Sequence, residues 1–245
     1  MMVTVDMIKN SPVPQAVGII MDGNRRFAKE LMKKPWMGHK FGVKKARDVL
    51  EWACEIGIKY MTIYALSVEN LKSRPKKELE MILYYFNKEI NAFLSGKHVV
   101  HDTKTRVRFI GRIRLLPKKL QEKMKKVEEK TKKYKDHFLN IAVAYGGQQE
   151  IVDAFKKISS KVSKGLLKAS QINEDLIRHS LYTNGFPYPD LIIRTGGERR
   201  LSNFLLWQSA YSEFAFTDKK WPEIDKQTFL SIIRDYQKRD RRFGK

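Results

Sequence analysis

The sequence predicts one α/β domain built on a mostly parallel central sheet of about six strands, flanked by helices. Three observations carry that expectation. Short apolar runs rich in β-branched residues alternate with longer stretches of helical period, the signature of a parallel sheet covered on both faces. The chain has 245 residues of which 42% are hydrophobic, enough to bury one large core. No internal repeat, low-complexity linker or domain boundary interrupts the pattern, so residues 1–245 read as a single domain.

Residues 1–15 mix Asp6, Lys9 and Asn10 with Pro12 and Pro14, lack the apolar core of a signal peptide, and are expected to form a flexible lead-in. The first strand is expected over Ala16–Met21, followed by strands at Tyr60–Leu66, Val107–Ile110, Phe138–Tyr145 and Leu191–Ile193. Phe214–Thr217 supplies a sixth. The spacing predicts a helix over Pro75–Leu94, opening on a proline in the first turn and carrying Leu79, Ile82, Leu83, Phe86, Ile90 and Phe93 on one stripe. Met81, Tyr84 and Tyr85 make a second apolar face, so this helix either lies between two packed layers or lines something greasy, and packing is the default for an isolated helix. A final helix is expected over Asp225–Phe243, capped by Asp225.

Composition narrows the function. The net charge of +22 points to polyanionic partners: nucleic acid, an anionic membrane face or a phosphorylated substrate. Much of the excess lies in Lys118–Lys135, where Leu120, Met124, Val127 and Tyr134 recur at helical spacing. No aromatic residues interleave its basic face, so it reads as a solvated amphipathic helix and no nucleic-acid partner is expected. Cys54 stands alone, which excludes an internal disulfide and a cysteine-based metal cage, fits a reducing cytosol, and marks it as a core filler. No run approaches the roughly 20 apolar residues of a membrane-spanning helix.

In an open parallel sheet, ligands bind beyond the carboxyl ends of the strands. Four expected strands run there into polar or glycine-rich loops: Asp22-Gly23-Asn24-Arg25-Arg26, Ser67-Val68-Glu69-Asn70, Gly146-Gly147 and Arg194-Thr195-Gly196-Gly197-Glu198. The first has the layout of an anion site, a glycine turn opening a helix with two arginines beside it. Asp22 is unfavourable beside phosphates unless a cation lies between, and a hard oxygen ligand suits Mg²⁺. As an isolated dipeptide, Asp22-Gly23 reads better as an ordinary turn. Arg194, Arg200 and Ser202 supply two planar forks and a hydroxyl for a second phosphate group, or surface charge around a loop.

Taken together, Met21 to Ala28, Gly38-His39-Lys40, Ser67 to Asn70, Tyr145-Gly146-Gly147, Ile193 to Glu198 and Ser202 to Gln208 resemble the undecaprenyl diphosphate synthase family of cis-prenyltransferases, in the family's order from Ile19 to Gly244. The resemblance implies an enzyme that condenses isopentenyl diphosphate with an allylic prenyl diphosphate. It implies a sheet of about six strands, with a hydrophobic tunnel enclosed by the helices at Pro75–Leu94 and near Val43–Ile56, and it assigns roles by position. Asp22 and Glu213 would hold Mg²⁺. Gly23, Asn24, Arg25, Arg26 and His39 would bind the allylic diphosphate, and Arg194, Arg200 and Ser202 the isopentenyl diphosphate. Ser67 and Asn70 would lie near the reacting ends, with Arg74 downstream; Asp22, Asn24, Ser67 and Asn70 form the catalytic group. The terminal Arg242 and Gly244 resemble a motif that reaches the neighbouring subunit's phosphates in a homodimer. The resemblance further implies a cytoplasmic enzyme, peripheral at the inner membrane face through its product.

Several positions depart from the family pattern. Arg25 and Phe27 replace the glycine and tryptophan of many bacterial members and bring the segment closer to archaeal and eukaryotic branches. Pro35 stands where bacterial members carry a phosphate-contacting arginine, with Lys33 and Lys34 beside it. Leu71-Lys72-Ser73-Arg74 replaces a shorter aromatic segment, and Ala144 an asparagine. The proton-accepting group stays open among a diphosphate oxygen, Ser67 and His39. A same-fold enzyme with another acceptor is disfavoured by the Arg194, Arg200 and Ser202 set. A non-catalytic subunit is disfavoured by Asp22, the Gly23–Arg26 loop and Glu213.

Overall fold

Six strands form the spine of the protein, whose computed structural model describes residues 2–239. They are β1 (Ala16–Ile20), β2 (Tyr60–Ser67), β3 (Thr105–Ile110), β4 (His137–Tyr145), β5 (Leu191–Arg194) and β6 (Glu213–Phe216). All pair in parallel, in the order β3-β4-β2-β1-β5-β6. The helices are α1 (Val5–Lys9), α2 (Asn24–Glu30), α3 (Gly38–Glu55), α4 (Val68–Ser73), α5 (Lys76–Ser95), α6 (Val99–Asp102), α7 (Lys118–Thr131), α8 (Gly147–Ser163), α9 (Glu174–Ser180) and α10 (Lys226–Gln237).

β1 is buried along its whole length because both faces of the sheet are covered, which is why its sequence is a continuous apolar run rather than an alternating one. Side chains alternate between the faces. Val17 and Ile19 join the larger core with α3, α5, α7 and α10, whereas Ile20 joins Tyr145, Ile192, Phe204 and Leu205 in a smaller core on the other side.

Each expected strand is present. β3 begins at Thr105, two residues earlier than the apolar run indicates, because the buried Thr105 already pairs with His137. Pro75 stays extended at ψ 138° and flanks α5 from the cap position instead of entering its first turn. The expected C-terminal helix is capped by the Asp225 side chain, which accepts from the Thr228 amide, but closes at Gln237; Asp240–Phe243 lie outside the described residues. Before β1, the stretch expected to be flexible carries α1, whose Ile8 is fully buried, and Gln237 donates to the carbonyls of Ile8 and Ser11. Cys54 is half-buried with Sγ 3.9 Å from the Thr105 hydroxyl, and burial pushes its thiol up, away from nucleophilic use.

Candidate active site

The strand order reverses about β1. β2 and β4 lie on one side, β5 and β6 on the other, so the chain opens a crevice at the carboxyl ends of β1 and β5. Register sets what meets there. Ile20 pairs with Arg194, and Asp22 follows just beyond the strand end. Asp22 Oδ2 accepts from Arg194 Nη2 at 2.8 Å, Oδ1 accepts from the Gly23 amide at 2.6 Å, and Arg26 Nη2 stands 3.4 Å from Oδ1. Arg194 also donates through Nη1 to Ser202 Oγ at 2.7 Å and to the Arg200 carbonyl. The Asp22 carbonyl is fixed by Thr195 Oγ1 at 2.7 Å and the Trp221 amide at 2.8 Å.

Gly23 takes φ 100°, and a Cβ there would sit 2.7 Å from Lys220 Cβ, so backbone conformation and space both demand glycine. Opposite, Ser202, Asn203 and Leu205 hold φ of 48°, 66° and 44°. Such left-handed conformations persist only where surroundings enforce them. Asn203 does so: its carbonyl accepts from the Gly147 amide, its Oδ1 from the Gln148 amide at 2.8 Å, and its Nδ2 donates to Glu69 and Gln149, each at 2.9 Å.

A second cluster forms where α3 passes α2. At Gly38 a Cβ would lie 1.9 Å from the Asn24 carbonyl oxygen, so only glycine admits this approach. The approach brings His39 beside the start of α5, where the Glu78 carboxylate is almost wholly buried. Glu78 Oε1 is bonded by Arg74 Nη1 and lies 3.5 Å from both Arg25 Nε and His39 Nε2. Burial first, and the Arg74 charge second, push His39 down to about 4 despite the opposing pull of Glu78, so its ring is neutral at neutral pH. Ser67 caps α4, its Oγ accepting from the Asn70 amide at 3.0 Å.

Both clusters form the mouth of one cavity of about 1060 Å³. Asp22, Gly23, Asn24, Arg25, Arg26, His39, Ser67, Asn70, Arg74, Arg194, Arg200 and Ser202 all line it. Below the mouth its walls turn apolar: Met61, Ile63, Leu139 and Ile141 from the sheet face Leu50 of α3 and Phe86 of α5. Among the described residues, buried Arg74 Nε, Arg194 Nε and Asn24 Oδ1 have no hydrogen-bond partner. Such groups are costly unless something else satisfies them.

Some expected residues lie elsewhere. Glu213 opens β6 level with Leu191, which pairs with Val17, so it sits roughly 16 Å from Asp22 along the strand direction at about 3.3 Å per residue. There it accepts from Arg239 at 2.7 Å, and one chain does not bring it to Asp22. Arg242 and Gly244 lie outside the described residues. Lys33 and Lys34 do not line the cavity, whereas Lys29, one turn earlier, does. Of the second apolar face of α5, Tyr85 lines the cavity and Tyr84 is exposed, while Ile90 of the main stripe is core.

Sequence reasoning passed over Glu78 and Trp221, and met Asn203 only as part of the Ser202 to Gln208 motif, with no role assigned. Glu78 follows Arg74 by four residues, a spacing legible in the sequence but ordinary in a first helical turn. Nothing local marks Trp221, whose Nε1 donates to the Gly42 carbonyl at 2.8 Å.

Residues 20–244 match the family model described as "Putative undecaprenyl diphosphate synthase". The chain belongs to the undecaprenyl diphosphate synthase family. Among curated relatives, a tritrans,polycis-undecaprenyl-diphosphate synthase (geranylgeranyl-diphosphate specific) of Methanopyrus kandleri is 50% identical, covering 98% of this chain and 88% of that protein. This agrees with the archaeal and eukaryotic character of Arg25 and Phe27. Among solved structures, lavandulyl diphosphate synthase from Lavandula x intermedia in complex with dimethylallyl diphosphate superposes with a TM-score of 0.90 at 35% identity, covering 95% of this chain and 99% of that one. A probable undecaprenyl diphosphate synthase from Campylobacter jejuni gives 0.77 at 32%, covering 96% and 100%. The family member described here is thus a transferase of prenyl groups. Among its described residues no helix is long and apolar enough to cross a membrane.

Proposed function

We propose that this prenyltransferase holds two diphosphates at the cavity mouth and threads the apolar tail of the allylic one into the cavity below, adding isopentenyl units with cis geometry. The observation that carries this reading is the juxtaposition of cationic groups with spare hydrogen-bonding capacity and a deep apolar space, which fits an amphiphile with an anionic head and a hydrocarbon tail. Arg25, Arg26 and His39, with the Gly23–Asn24 turn, take the allylic diphosphate. Arg194, Arg200 and Ser202 take the isopentenyl diphosphate. The names of the archaeal relatives support geranylgeranyl diphosphate as the starter.

The donor set fits Mg²⁺. Asp22 offers hard carboxylate oxygens at the mouth, each with more lone-pair capacity than its bonds to Gly23, Arg26 and Arg194 use. Among the described residues no group of three acidic, histidine or cysteine side chains could cage a metal. One protein carboxylate with substrate phosphates completing the shell is a habit of Mg²⁺, which when bound neutralises charge developing on the leaving diphosphate. Arg25, Arg26 and Arg74 oppose the same charge as the allylic carbon–oxygen bond breaks, its electron pair leaving on the diphosphate. Arg194 and Arg200 hold the isopentenyl double bond against the allylic carbon, so that its π electrons form the new carbon–carbon bond in an oriented encounter. Loss of one proton restores the double bond. With His39 held at about 4, a diphosphate oxygen is a stronger base than the His39 ring.

A homodimer in which C-terminal residues reach a neighbour's site, and peripheral binding of the product-laden enzyme to a bilayer, complete the proposal. The test is incubation of purified protein with labelled isopentenyl diphosphate, Mg²⁺ and allylic starters of increasing length. Mg²⁺-dependent cis-polyprenyl products are expected, best from geranylgeranyl diphosphate. No incorporation from any starter overturns the reading.

A further inference from the structure

α3 and α5 turn one side to the cavity and the other outward, and the outward side has a composition that prenyl transfer does not call for. On α5, Lys77, Met81, Tyr84 and Lys88 follow one another at helical spacing and share one stripe. Lys77 and Lys88 are exposed, Tyr84 is 56% exposed, and Met81 is half-buried. On α3, Lys40 and Lys44 are exposed one turn apart. Between the two helices lies a hollow of about 210 Å³, lined by Lys40, Lys44 and Lys88 with Val43 and Tyr85. It shares the Arg47–Glu89 ion pair with the main cavity, where Arg47 lies roughly 14 Å along α3 from Gly38 at about 1.5 Å per residue.

The same surface continues ahead of α3. Trp36 lies between two ammonium groups, Lys34 Nζ at 5.5 Å and Lys77 Nζ at 5.6 Å from its ring centroid, which ties the turn at 31–36 to the α5 stripe. In that turn Met32 is 99% exposed and Leu31 44%, with the exposed Lys33 and Lys34 following. Among the described residues none of Lys33, Lys34, Lys40, Lys44, Lys77 and Lys88 forms an ion pair. Glu30, the acid beside the turn, pairs with Lys220, and Glu80 is exposed at the edge of the α5 stripe.

Unpaired lysines around a protruding apolar side chain, with Trp36 and Tyr84 among them, match the layers of an anionic bilayer. Headgroup phosphates meet the ammonium groups, the rings take the interface, and Met32 enters the acyl boundary. A nucleic acid would use the charge but offers nothing to Met32. The rival surface is α8, whose Glu150 bonds Tyr145 of the smaller core on the other side of the sheet and whose Phe155 is 68% exposed beside Lys156 and Lys157. Only the α3–α5 face adjoins the cavity.

Resting on the function proposed above, which places an apolar product in that cavity, we propose that the outward face of α3 and α5, with the turn at 31–36, docks the ligand-free enzyme on an anionic phospholipid bilayer. Docking precedes the product and does not need it, and it sets the cavity against the phase that takes up the polyprenyl chain.

The experiment is co-sedimentation of ligand-free protein with vesicles of phosphatidylcholine alone, or mixed equally with phosphatidylglycerol. The wild type should bind the anionic vesicles and leave the neutral ones. The triple variant Lys44→Gln, Lys77→Gln, Lys88→Gln should weaken partition on the order of 10²-fold, at about five-fold for each lysine near an anionic surface. Met32→Asn suits the φ 53° backbone better than methionine does and should weaken partition about five-fold by removing the apolar wedge. The triple variant Lys156→Gln, Lys157→Gln, Lys161→Gln removes the same charge from α8 and should change partition much less. All variants are checked for fold by circular dichroism. Equal losses from the two triple variants would show that net charge alone drives binding, and overturn the dock. Full binding by Met32→Asn together with loss in the first triple variant is the pattern of a soluble polyanion site, such as one for RNA, and overturns it too. A wild type that ignores anionic vesicles yet transfers prenyl groups sinks the dock and leaves the function standing. One that binds them through these residues and incorporates no isopentenyl diphosphate supports the dock and sinks the function.

Discussion

The two ends of the cavity use the same residue types in opposite ways. At the mouth, Arg74 and Arg194 are nearly buried yet, among the described residues, each leaves its Nε without a partner, and Asn24 leaves Oδ1 unused. At the depth of Glu89, Arg47 commits both Nε and Nη2, and His98 both ring nitrogens, within the protein. A buried donor without a partner costs free energy that a ligand recovers, whereas a saturated one holds structure and repels apolar matter. Charge count distinguishes the two regions poorly; unspent hydrogen-bonding capacity distinguishes them well.

That contrast is broken most severely at Asp22. Asp22→Ala should lower turnover by about 10²–10³ while circular dichroism stays native, because it removes the carboxylate proposed to hold Mg²⁺ beside the leaving diphosphate and no core contact. Wild-type turnover with Mg²⁺ in a folded variant removes Asp22 from the chemistry. Arg194→Ala should cost about 1.5–3 kcal/mol, read chiefly as a raised KM for isopentenyl diphosphate. A change confined to the KM of the allylic substrate would show that the two diphosphate sites are exchanged.

A binding measurement sharpens the comparison without turnover. Inorganic pyrophosphate with Mg²⁺, at ten times its Kd, should stabilise the wild type by about 1.4 kcal/mol in a thermal shift. Arg47→Ala should retain that shift and Arg200→Ala should lose most of it. Equal loss in both would show that the deep arginine also has capacity for anions.

The smallest effect concerns His39. Its folded-state value of about 4 lies below the ordinary 6.5, so the unfolded chain takes up the proton first. Its contribution to stability is therefore complete above about pH 6.5 and is lost as the pH falls toward about 4, on the order of 1 kcal/mol between pH 7 and 5. Denaturant unfolding of the ligand-free protein at both pH values should show this loss, reduced in His39→Gln. Equal losses in the two proteins would assign the acid sensitivity to other groups.

Much of the candidate site was legible because the residues that would read a diphosphate are local. Asp22 to Arg26 is one loop and Arg194 to Ser202 another, and each carries its residues in a fixed order that sequence displays directly. Glu78 was not legible. A glutamate at the start of a helix is commonplace, and only the close packing of α3 on α2 through Gly38 carries His39 to it. The second apolar face of α5 was visible as a pattern, but whether Tyr85 or Ile90 meets open space depends on where α3 lies, which helical period does not encode.

The sequence by itself determined the α/β class, the six strands and the loops at their carboxyl ends, because backbone hydrogen bonding and the alternation of apolar runs act over a few residues. Tertiary structure decided that β1 and β5 are neighbours, so that Asp22 meets Arg194 across 172 positions of chain. It also decided that Glu213 falls at the opposite end of the sheet from Asp22 within one chain, and that Arg47 finds Glu89 across the cavity. Strand order, register and helix packing are settled by the summed burial of the whole core, and no local stretch of residues carries that sum.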